Sequence, residues 1–324
     1  MVTSEMSYAI IENQLCSPKK REIVELMTEY IPGARVFSTI STQDLASKMK
    51  EIKSYDPDII LSVGGDGTAH NVLNQMFQEG LEKKIFGLVP AGSGNDFSMY
   101  GLGMSVPSTK SKKAIFRSID DYIYPDTKQV DVGLFKAEYE RIVLNSVGFG
   151  YTAEIAFNSQ NYYHFGRLRY LAAGLASFMN GLGNYASRLE EVKINGNDKD
   201  MPDKNLITLV MNSKASGGGL MFNPIGSVCD GVFSFITLKE VGKGELAKLL
   251  WQVIKKKQFY KDRNVMYNGD VRKVSVASDA LRLVELDGEI LPATKRFSVE
   301  VLPAKVRMIT KKSEKHSQDR LTFA

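Results

Sequence analysis

Residues 61–76, LSVGGDGTAHNVLNQM, set an apolar run directly against Gly64-Gly65-Asp66-Gly67-Thr68 and then place Val72, Leu73 and Met76 at helical spacing. The stretch reads as strand, glycine turn, helix. Glycine lacks the Cβ that would hold backbone amides away from a bulky anion, and a helix N-terminus presents unsatisfied N–H groups carrying partial positive charge. Such a turn suits phosphate. An acidic residue inside it would repel phosphate unless a divalent cation or a transferable proton lay between them, so Asp66 predicts Mg²⁺, a proton acceptor, or both. The competing reading is a tight strand-to-helix turn that requires glycine and nothing more.

The arrangement repeats at once. Ile85 to Pro90, IFGLVP, delivers a second apolar run into Ala91-Gly92-Ser93-Gly94-Asn95-Asp96-Phe97. Gly92, Ser93 and Gly94 offer amides and a hydroxyl to phosphate, Asn95 a neutral amide, and Asp96 a second carboxylate able to hold Mg²⁺ directly or through water. Asn95 and Asp96 equally suit the capping of a following helix.

Upstream, Tyr8 to Glu12 reads as a buried strand and Pro18 to Tyr30 as a helix, with Ile23, Val24 and Met27 on one face. A second pair follows: a short strand over Ala34 to Phe37 and a helix over Thr42 to Lys53, with Thr42 the predicted N-cap. Strands alternating with helices in this way predict a parallel sheet covered on both faces, with ligands outside the carboxyl ends of the strands. After about Pro125 the texture changes to VDVGLF, RIVLNSVGFG, EEVKING, NLITLVMN, VFSFITLKEV, KVSVASDALRLVELDG and RFSVEVLP, many alternating as half-buried strands do. This predicts a β-rich second domain, interrupted by a helical insert over Gly166 to Leu182 and a basic amphipathic helix over Gly244 to Gln258.

The whole composition agrees with two globular domains: 324 residues, 43% hydrophobic and 24% charged. No apolar run approaches the roughly 20 residues of a membrane-spanning helix, and the opening residues lack a secretory pattern, so a cytoplasmic protein is expected. Cys16 and Cys229 are far apart and predict neither a disulfide framework nor a zinc site. A net charge of +5 suits an anionic nucleotide, a lipid surface or no partner in particular, and does not argue for nucleic acid.

Several short motifs then follow one another in a fixed order: GGDGT at 64–68, P-x-G-[ST]-x-N-D-F at 90–97, Val130-Asp131-Val132-Gly133, NSVGFG at 145–150, Gly217 to Gly219 before FNP, Asp230-Gly231, and Asp287-Gly288-Glu289. By these the chain resembles the diacylglycerol kinase catalytic-domain family, which includes sphingosine and ceramide kinases, and is most similar to its soluble bacterial lipid kinases. The resemblance implies an α/β N-terminal domain, Rossmann-like and three-layered in the manner of NAD kinase and phosphofructokinase, formed by 1–126 with 303–324. It implies a β-rich sandwich over 127–302 as the lipid-substrate domain, with ATP and lipid meeting between the two.

Carried over by matching position, the resemblance implies that Gly64, Gly65, Asp66, Gly67, Thr68, Asn71, Gly92, Ser93, Gly94 and Asn95 bind nucleotide. Asn13 and Thr39, at the ends of the first two strands, join them; a turn role for Thr39 is equally open. Asp66 and Asp96 would organise Mg²⁺ through water, and Asp230 matches a second, structural Mg²⁺ site or forms an ordinary Asp-Gly turn. Asp131 is expected to couple the two domains. Glu289 matches the general base that a lipid hydroxyl needs as it attacks the γ-phosphate. Asp287 would orient the turn or contact phosphates, while Asp-Gly by itself is a hairpin signal. Two departures are visible: the first-strand pattern Asn-Pro-x-Ser-Gly appears as Asn13-Gln14-Leu15-Cys16-Ser17, and Met99 replaces an arginine. An NAD kinase would share the first glycine loop but not the second together with Asp-Gly-Glu.

The expected activity is ATP- and Mg²⁺-dependent phosphorylation of a lipid, first of all diacylglycerol to phosphatidic acid. The alternatives are another lipid alcohol (a sphingoid base, phosphatidylglycerol or an isoprenoid) and a non-catalytic nucleotide- or lipid-binding regulator. Leu168, Leu171, Leu175, Phe178, Met179 and Leu182 form either a core helix or the wall of an acyl-chain cleft. Trp251 beside Lys255, Lys256 and Lys257 suits either transient peripheral contact with an anionic membrane or a core helix ending in lysines. A homodimer is implied by the bacterial resemblance, and His70 is expected to face solvent.

Overall fold

The computed structural model describes residues 6–13, 18–31, 33–108, 112–162, 164, 173–174, 176–177, 186–255 and 258–312. Most of the insert predicted over 166–182 lies outside them, as do Gln14, Leu15, Cys16, Ser17, Lys256 and Lys257. The chain forms two compact units, Met1–Val130 with Lys305–Ala324 and Asp131–Ala304.

The first unit contains β1 (Tyr8–Asn13), α1 (Pro18–Tyr30), β2 (Arg35–Thr39), α2 (Thr42–Tyr55), β3 (Ile59–Gly64), α3 (Asp66–Glu79) and β4 (Ile85–Pro90), then a π-helical turn, Phe97–Gly101, and α4 (Lys112–Ile123). β1 lies between β2 and β3, and β3 pairs with β4, all in parallel. The chain's last strand returns beside β4, with Met308 opposite Phe86. The step from β1 to β2 runs one way across the sheet, whereas β2 to β3 to β4 runs the other. Right-handed crossovers therefore put α1 on one face and α2 and α3 on the opposite one. The packing agrees: α1 meets α4, and α2 meets α3. Covered on both sides, β3 is buried along its whole length, which is why it reads as an apolar run broken only by Ser62.

Two local expectations need correcting. Ser41, not Thr42, caps α2: its Oγ accepts the Asp44 N–H at 3.1 Å, and Thr42 is the first helical residue. Both hydroxyls can cap, but it is Ser41 that has the extended backbone a cap requires. His70 is 3% exposed rather than solvent-facing, because α3 turns that side toward the core, where Asn74 Nδ2 donates to the His70 carbonyl at 2.9 Å.

The second unit is entered through β5 (Asp126–Lys136) and continues with β6 (Glu140–Val143), β7 (Ser146–Gly150), α5 (Tyr151–Ser159), β8 (Leu189–Ile194), β9 (Asn197–Asp198), β10 (Asn205–Met211), β11 (Phe233–Lys239), α6 (Lys243–Ile254), β12 (Val265–Val271), β13 (Lys273–Leu286) and β14 (Glu289–Thr310). Antiparallel pairing gives the order β12-β11-β10-β7-β13-β14. Alternate residues of the central strands feed two cores. Val210, Phe233 and Phe235 join Phe135, Phe149 and Phe297 in one; Leu209, Met211, Ile236 and Leu238 join Tyr151, Leu246, Leu249 and Val253 of α5 and α6 in the other. β10 and β11 are therefore buried on both faces. The predicted basic helix is α6, which ends at Ile254, and α5 is an element that the strand-like run into Gly150 concealed; Gly150, at φ 73°, makes the turn into it.

Candidate functional site

The register of the first unit brings the predicted nucleotide residues to one edge. Asn13 lies opposite Thr39 at the carboxyl ends of β1 and β2, and Gly64 lies opposite Pro90 at those of β3 and β4. Both glycine loops thus leave adjacent strands at the same level. Thr39 is 6% exposed and its hydroxyl donates to the Glu12 carbonyl at 3.0 Å, so it fastens β2 to β1.

The loops are locked to each other through backbone. The Ala91 N–H donates to the Gly64 carbonyl at 2.9 Å and the Asp66 N–H to the Gly94 carbonyl at 3.1 Å. A Cβ on Gly65 would lie 2.5 Å from the Gly94 carbonyl oxygen, and one on Gly92 would lie 2.6 Å from the Gly65 nitrogen. One reason for glycine here is therefore loop against loop, which sequence reasoning, concerned with phosphate, did not see. Asn95 is 3% exposed and closes the second loop on itself: its Oδ1 accepts the Gly92 N–H at 2.9 Å, and its Nδ2 donates to the Gly92 carbonyl at 2.8 Å.

Asp66 supplies a further latch. Its Oδ2 accepts the Asp96 N–H at 2.8 Å and its Oδ1 the Phe97 N–H at 3.2 Å, so a residue in the first turn of α3 caps the π-helical turn of the second loop. The expected capping by Asn95 and Asp96 side chains is not what holds that turn; Asp66 reaches it from the other loop. Gly65 to Thr68 and Ala91 to Gly94 remain partly exposed between buried flanks, as does Asn71 one turn into α3. Helix geometry leaves the first amides of α3 without intrahelical partners, an arrangement that suits an anion.

Among the described residues no group of three or more His, Cys, Asp or Glu could hold a metal by itself. Phosphotransferases hold Mg²⁺ by one or two carboxylates together with waters and phosphate oxygens. Asp66 and Asp96 are hard oxygen donors of the right chemistry, and Asp66 already spends both carboxylate oxygens on the Asp96 and Phe97 amides.

The second unit carries the Asp-Gly-Glu turn. Asp287 and Gly288 have φ values of 53° and 93°, and Leu286 pairs with Glu289 across them, a two-residue hairpin of the kind Asp-Gly favours. The Asp287 carboxylate, 3% exposed, accepts the N–H groups of Leu144, Asn145 and Ser146 at 2.9, 2.7 and 3.0 Å. It holds the turn onto the start of β7. Glu285, buried, accepts the Gly288 N–H from below. Glu289 is partly exposed, and among the described residues no hydrogen bond or ion pair engages its carboxylate. Of three carboxylates in five residues, two brace the turn and the third is open.

Glu285 was missed from sequence, although the alternation Glu285, Asp287, Glu289 was a signal. Asn145 opens the NSVGFG motif. It donates to the Ala215 carbonyl at 3.0 Å and accepts the Ser213 hydroxyl, tying the turn to the loop before Gly217.

Asp131 and Asp230 stand elsewhere in the second unit. Asp131 accepts the Ala304 and Gly231 N–H groups, each at 2.7 Å, fastening the first residue of the unit to its last. Asp230 Oδ1 accepts the Val232 N–H at 3.2 Å. Although Asp230 is exposed as a residue, partial burial of its carboxyl and then the charge of Asp131 raise its pKa. A cation there would relieve that charge.

Residues 11–134 match the family described as diacylglycerol kinase catalytic domain, and residues 145–310 the YegS C-terminal NAD kinase beta sandwich-like domain. The chain is 23% identical over 274 residues to a diacylglycerol kinase of Bacillus subtilis, covering 83% of this chain and 84% of that one. It is 23% identical over 291 residues to a Yersinia pestis protein named "Probable lipid kinase YegS-like", covering 89% and 90%. A crystal structure of a diacylglycerol kinase from Bacillus anthracis superposes with a TM-score of 0.67 at 20% identity, covering 95% and 97% of the two chains. An NAD kinase from Archaeoglobus fulgidus, solved with ATP, shares the fold at a TM-score of 0.52 and 12% identity, covering 98% of each. With the glycine loops at 64–68 and 92–96 lying inside the first match and the Asp287-Gly288-Glu289 turn inside the second, the chain belongs to the diacylglycerol kinase catalytic-domain family and carries the YegS type of C-terminal sandwich.

Proposed function

We propose that this family member is an ATP- and Mg²⁺-dependent kinase that moves the γ-phosphate of ATP to a lipid hydroxyl, with diacylglycerol as acceptor and phosphatidic acid as product. The observation that carries the reading is the pair of interlocked glycine loops on adjacent strand ends, with the open first turn of α3 between buried flanks. Amides of Gly67, Thr68, Ser93 and Gly94 would bind the phosphates. Asp66 and Asp96 would hold Mg²⁺, whose charge offsets that of the phosphate oxygens.

Glu289 is the base in this proposal. It takes the proton of the lipid hydroxyl as that oxygen bonds to the γ-phosphorus and the bond to the β-phosphate oxygen breaks, releasing ADP. Asp287 and Glu285 keep the turn rigid so that the Glu289 carboxylate does not have to be ordered during the reaction. Asp230 is assigned a structural Mg²⁺ on charge alone, and peripheral contact with the bilayer follows from where such an acceptor resides.

The acceptor is the finer part of the proposal, since one relative is named for diacylglycerol and another only as a lipid kinase. The test is transfer of γ-labelled phosphate from ATP with Mg²⁺ to micelles of diacylglycerol, a sphingoid base, phosphatidylglycerol or an isoprenoid alcohol, beside a Glu289→Gln control. Labelled phosphatidic acid absent from the control is the expected result. Label on another lipid would change the substrate, and nucleotide binding without any labelled lipid would favour a binding regulator.

A further inference from the structure

The amphipathic helix α6 has a second face that neither the sandwich nor phosphoryl transfer uses. Leu246, Leu249 and Val253 are buried in the second core beside Phe259. The other side exposes Ala247, Lys248, Trp251, Ile254 and Lys255, at the i, i+1, i+4, i+7, i+8 spacing of one helical stripe. Trp251 is 56% and Ile254 42% exposed, and they stand one turn apart on that stripe. Lys255 Nζ lies 4.7 Å from the Trp251 ring centroid, and on the turn that follows Lys261 Nζ lies 5.8 Å from that of Tyr260.

Charge singles out the same segment. Residues 243–263 hold seven Lys and Arg against two Asp and Glu, a surplus of five. The whole chain holds 42 against 37, so the remainder balances at 35 against 35 and this one segment accounts for the entire net charge. An exposed indole and isoleucine costs free energy in water, and a concentrated cationic surround adds nothing to folding. Together they match the two layers of an anionic bilayer surface, with rings at headgroup depth and lysines among the phosphates. A second copy of the chain would oppose like charge with like.

We infer that the exposed stripe of α6, with Lys261 on the turn that follows, docks the protein on anionic phospholipid bilayers. The inference rests on the lipid-kinase reading for the choice of a bilayer as partner, and its test is independent of turnover. Trp251 is the chain's one tryptophan, so intrinsic emission reports on this helix alone. Without ATP or acceptor, equimolar phosphatidylglycerol–phosphatidylcholine vesicles should sediment the protein and shift its emission to the blue. Pure phosphatidylcholine should do neither, and raised salt should reverse both.

Lys255→Gln should weaken sedimentation about fivefold, and Trp251→Ala should weaken it further while leaving phosphotransfer to a dispersed short-chain acceptor unchanged. Sedimentation without a blue shift would move docking to another surface, and undiminished binding by both variants would do the same. A blue shift that grows with protein concentration in the absence of vesicles, or that an acidic protein produces when vesicles do not, would replace the bilayer by a protein partner. Any of these overturns the inference, and none of them touches the phosphotransfer assay.

Discussion

Asp66, in the first turn of α3, accepts the backbone N–H of Asp96 at 2.8 Å across thirty residues of chain, and that of Phe97 with its other oxygen. One carboxylate thereby sets the position of the second glycine loop relative to the first. In Asp66→Asn one oxygen becomes an NH₂ group facing an N–H donor, so one bond is lost and a repulsion replaces it. Hydrogen bonds to a charged group contribute about 1.5–3 kcal/mol. We expect Asp66→Asn to lose about that much in a denaturant melt, in addition to any effect on turnover. A wild-type midpoint would show that the carboxylate is not a latch. For the same reason Asp66→Asn confounds folding with chemistry, and Glu289→Gln is the better control.

The glycines of the loops differ in what holds them. A Cβ at position 92 would meet the Gly65 backbone, which has no soft side chain to move aside. At Gly33 nothing lies within 4 Å, and the cost is only that of a left-handed φ of 76°. We expect Gly92→Ala to lose about 3 kcal/mol and nucleotide binding with it, as overpacking does, and Gly33→Ala to lose about 1 kcal/mol with binding intact. Urea melts and nucleotide titration of both variants decide it. Equal effects would mean that the loops can part without cost.

Periodicity carried far in this chain because local sequence and tertiary packing agree in the first unit. β3 and β4 are apolar but for Ser62 since helices cover both faces, and the glycine turns follow directly, so strand, turn and helix were legible together. What could not be read was the direction of each polar group. Asp66 looked like a metal or proton site, and its contact with the Asp96 and Phe97 amides depends on a register that only the folded sheet sets. Asp287 likewise reads as a hairpin residue from Asp-Gly alone, and its three amide donors come from residues more than 140 positions away. The helix α5 hid because Thr152, Ile155 and Phe157 continue a strand-like composition beyond Gly150, where a single positive φ ends β7.

Tyr8 gives the first unit an alkaline limb. Its hydroxyl donates to the Tyr122 carbonyl at 3.0 Å, and burial, with a smaller contribution from the charge of Asp58, pushes its pKa up to about 12. An unfolded tyrosine ionises near pH 10. Between roughly pH 10 and 12 the unfolded chain has therefore lost a proton that the native state keeps, and stability falls as pH rises. Below that window the Tyr8 contribution is constant. Tyr8→Phe should be less stable by about 1 kcal/mol at neutral pH, for the lost hydrogen bond, and its melting temperature should fall less steeply above pH 10. Tyr122, also raised by burial, retains part of the slope. Parallel curves for the two proteins would place the alkaline limb elsewhere.

The Asp-Gly-Glu turn separates a bracing carboxylate from an open one within three residues, so the two should fail differently. Asp287→Ala leaves the amides of Leu144, Asn145 and Ser146 buried without their acceptor, and we expect a loss of about 3 kcal/mol or more in a denaturant melt. Its turnover should fall only as the turn loosens, and should recover in part when conditions stabilise the fold. Glu289→Gln keeps shape and breaks no hydrogen bond or ion pair among the described residues, so its melting curve should coincide with that of the wild type. If Glu289 takes the hydroxyl proton, kcat should fall about 10²–10⁴-fold, with nucleotide affinity unchanged. A Glu289→Gln protein with near wild-type kcat would remove Glu289 from the base role. A Glu289→Gln protein that melts early would mean that the open carboxylate is structural after all, and would leave the proton acceptor to be sought among the first unit's carboxylates, Asp66 and Asp96.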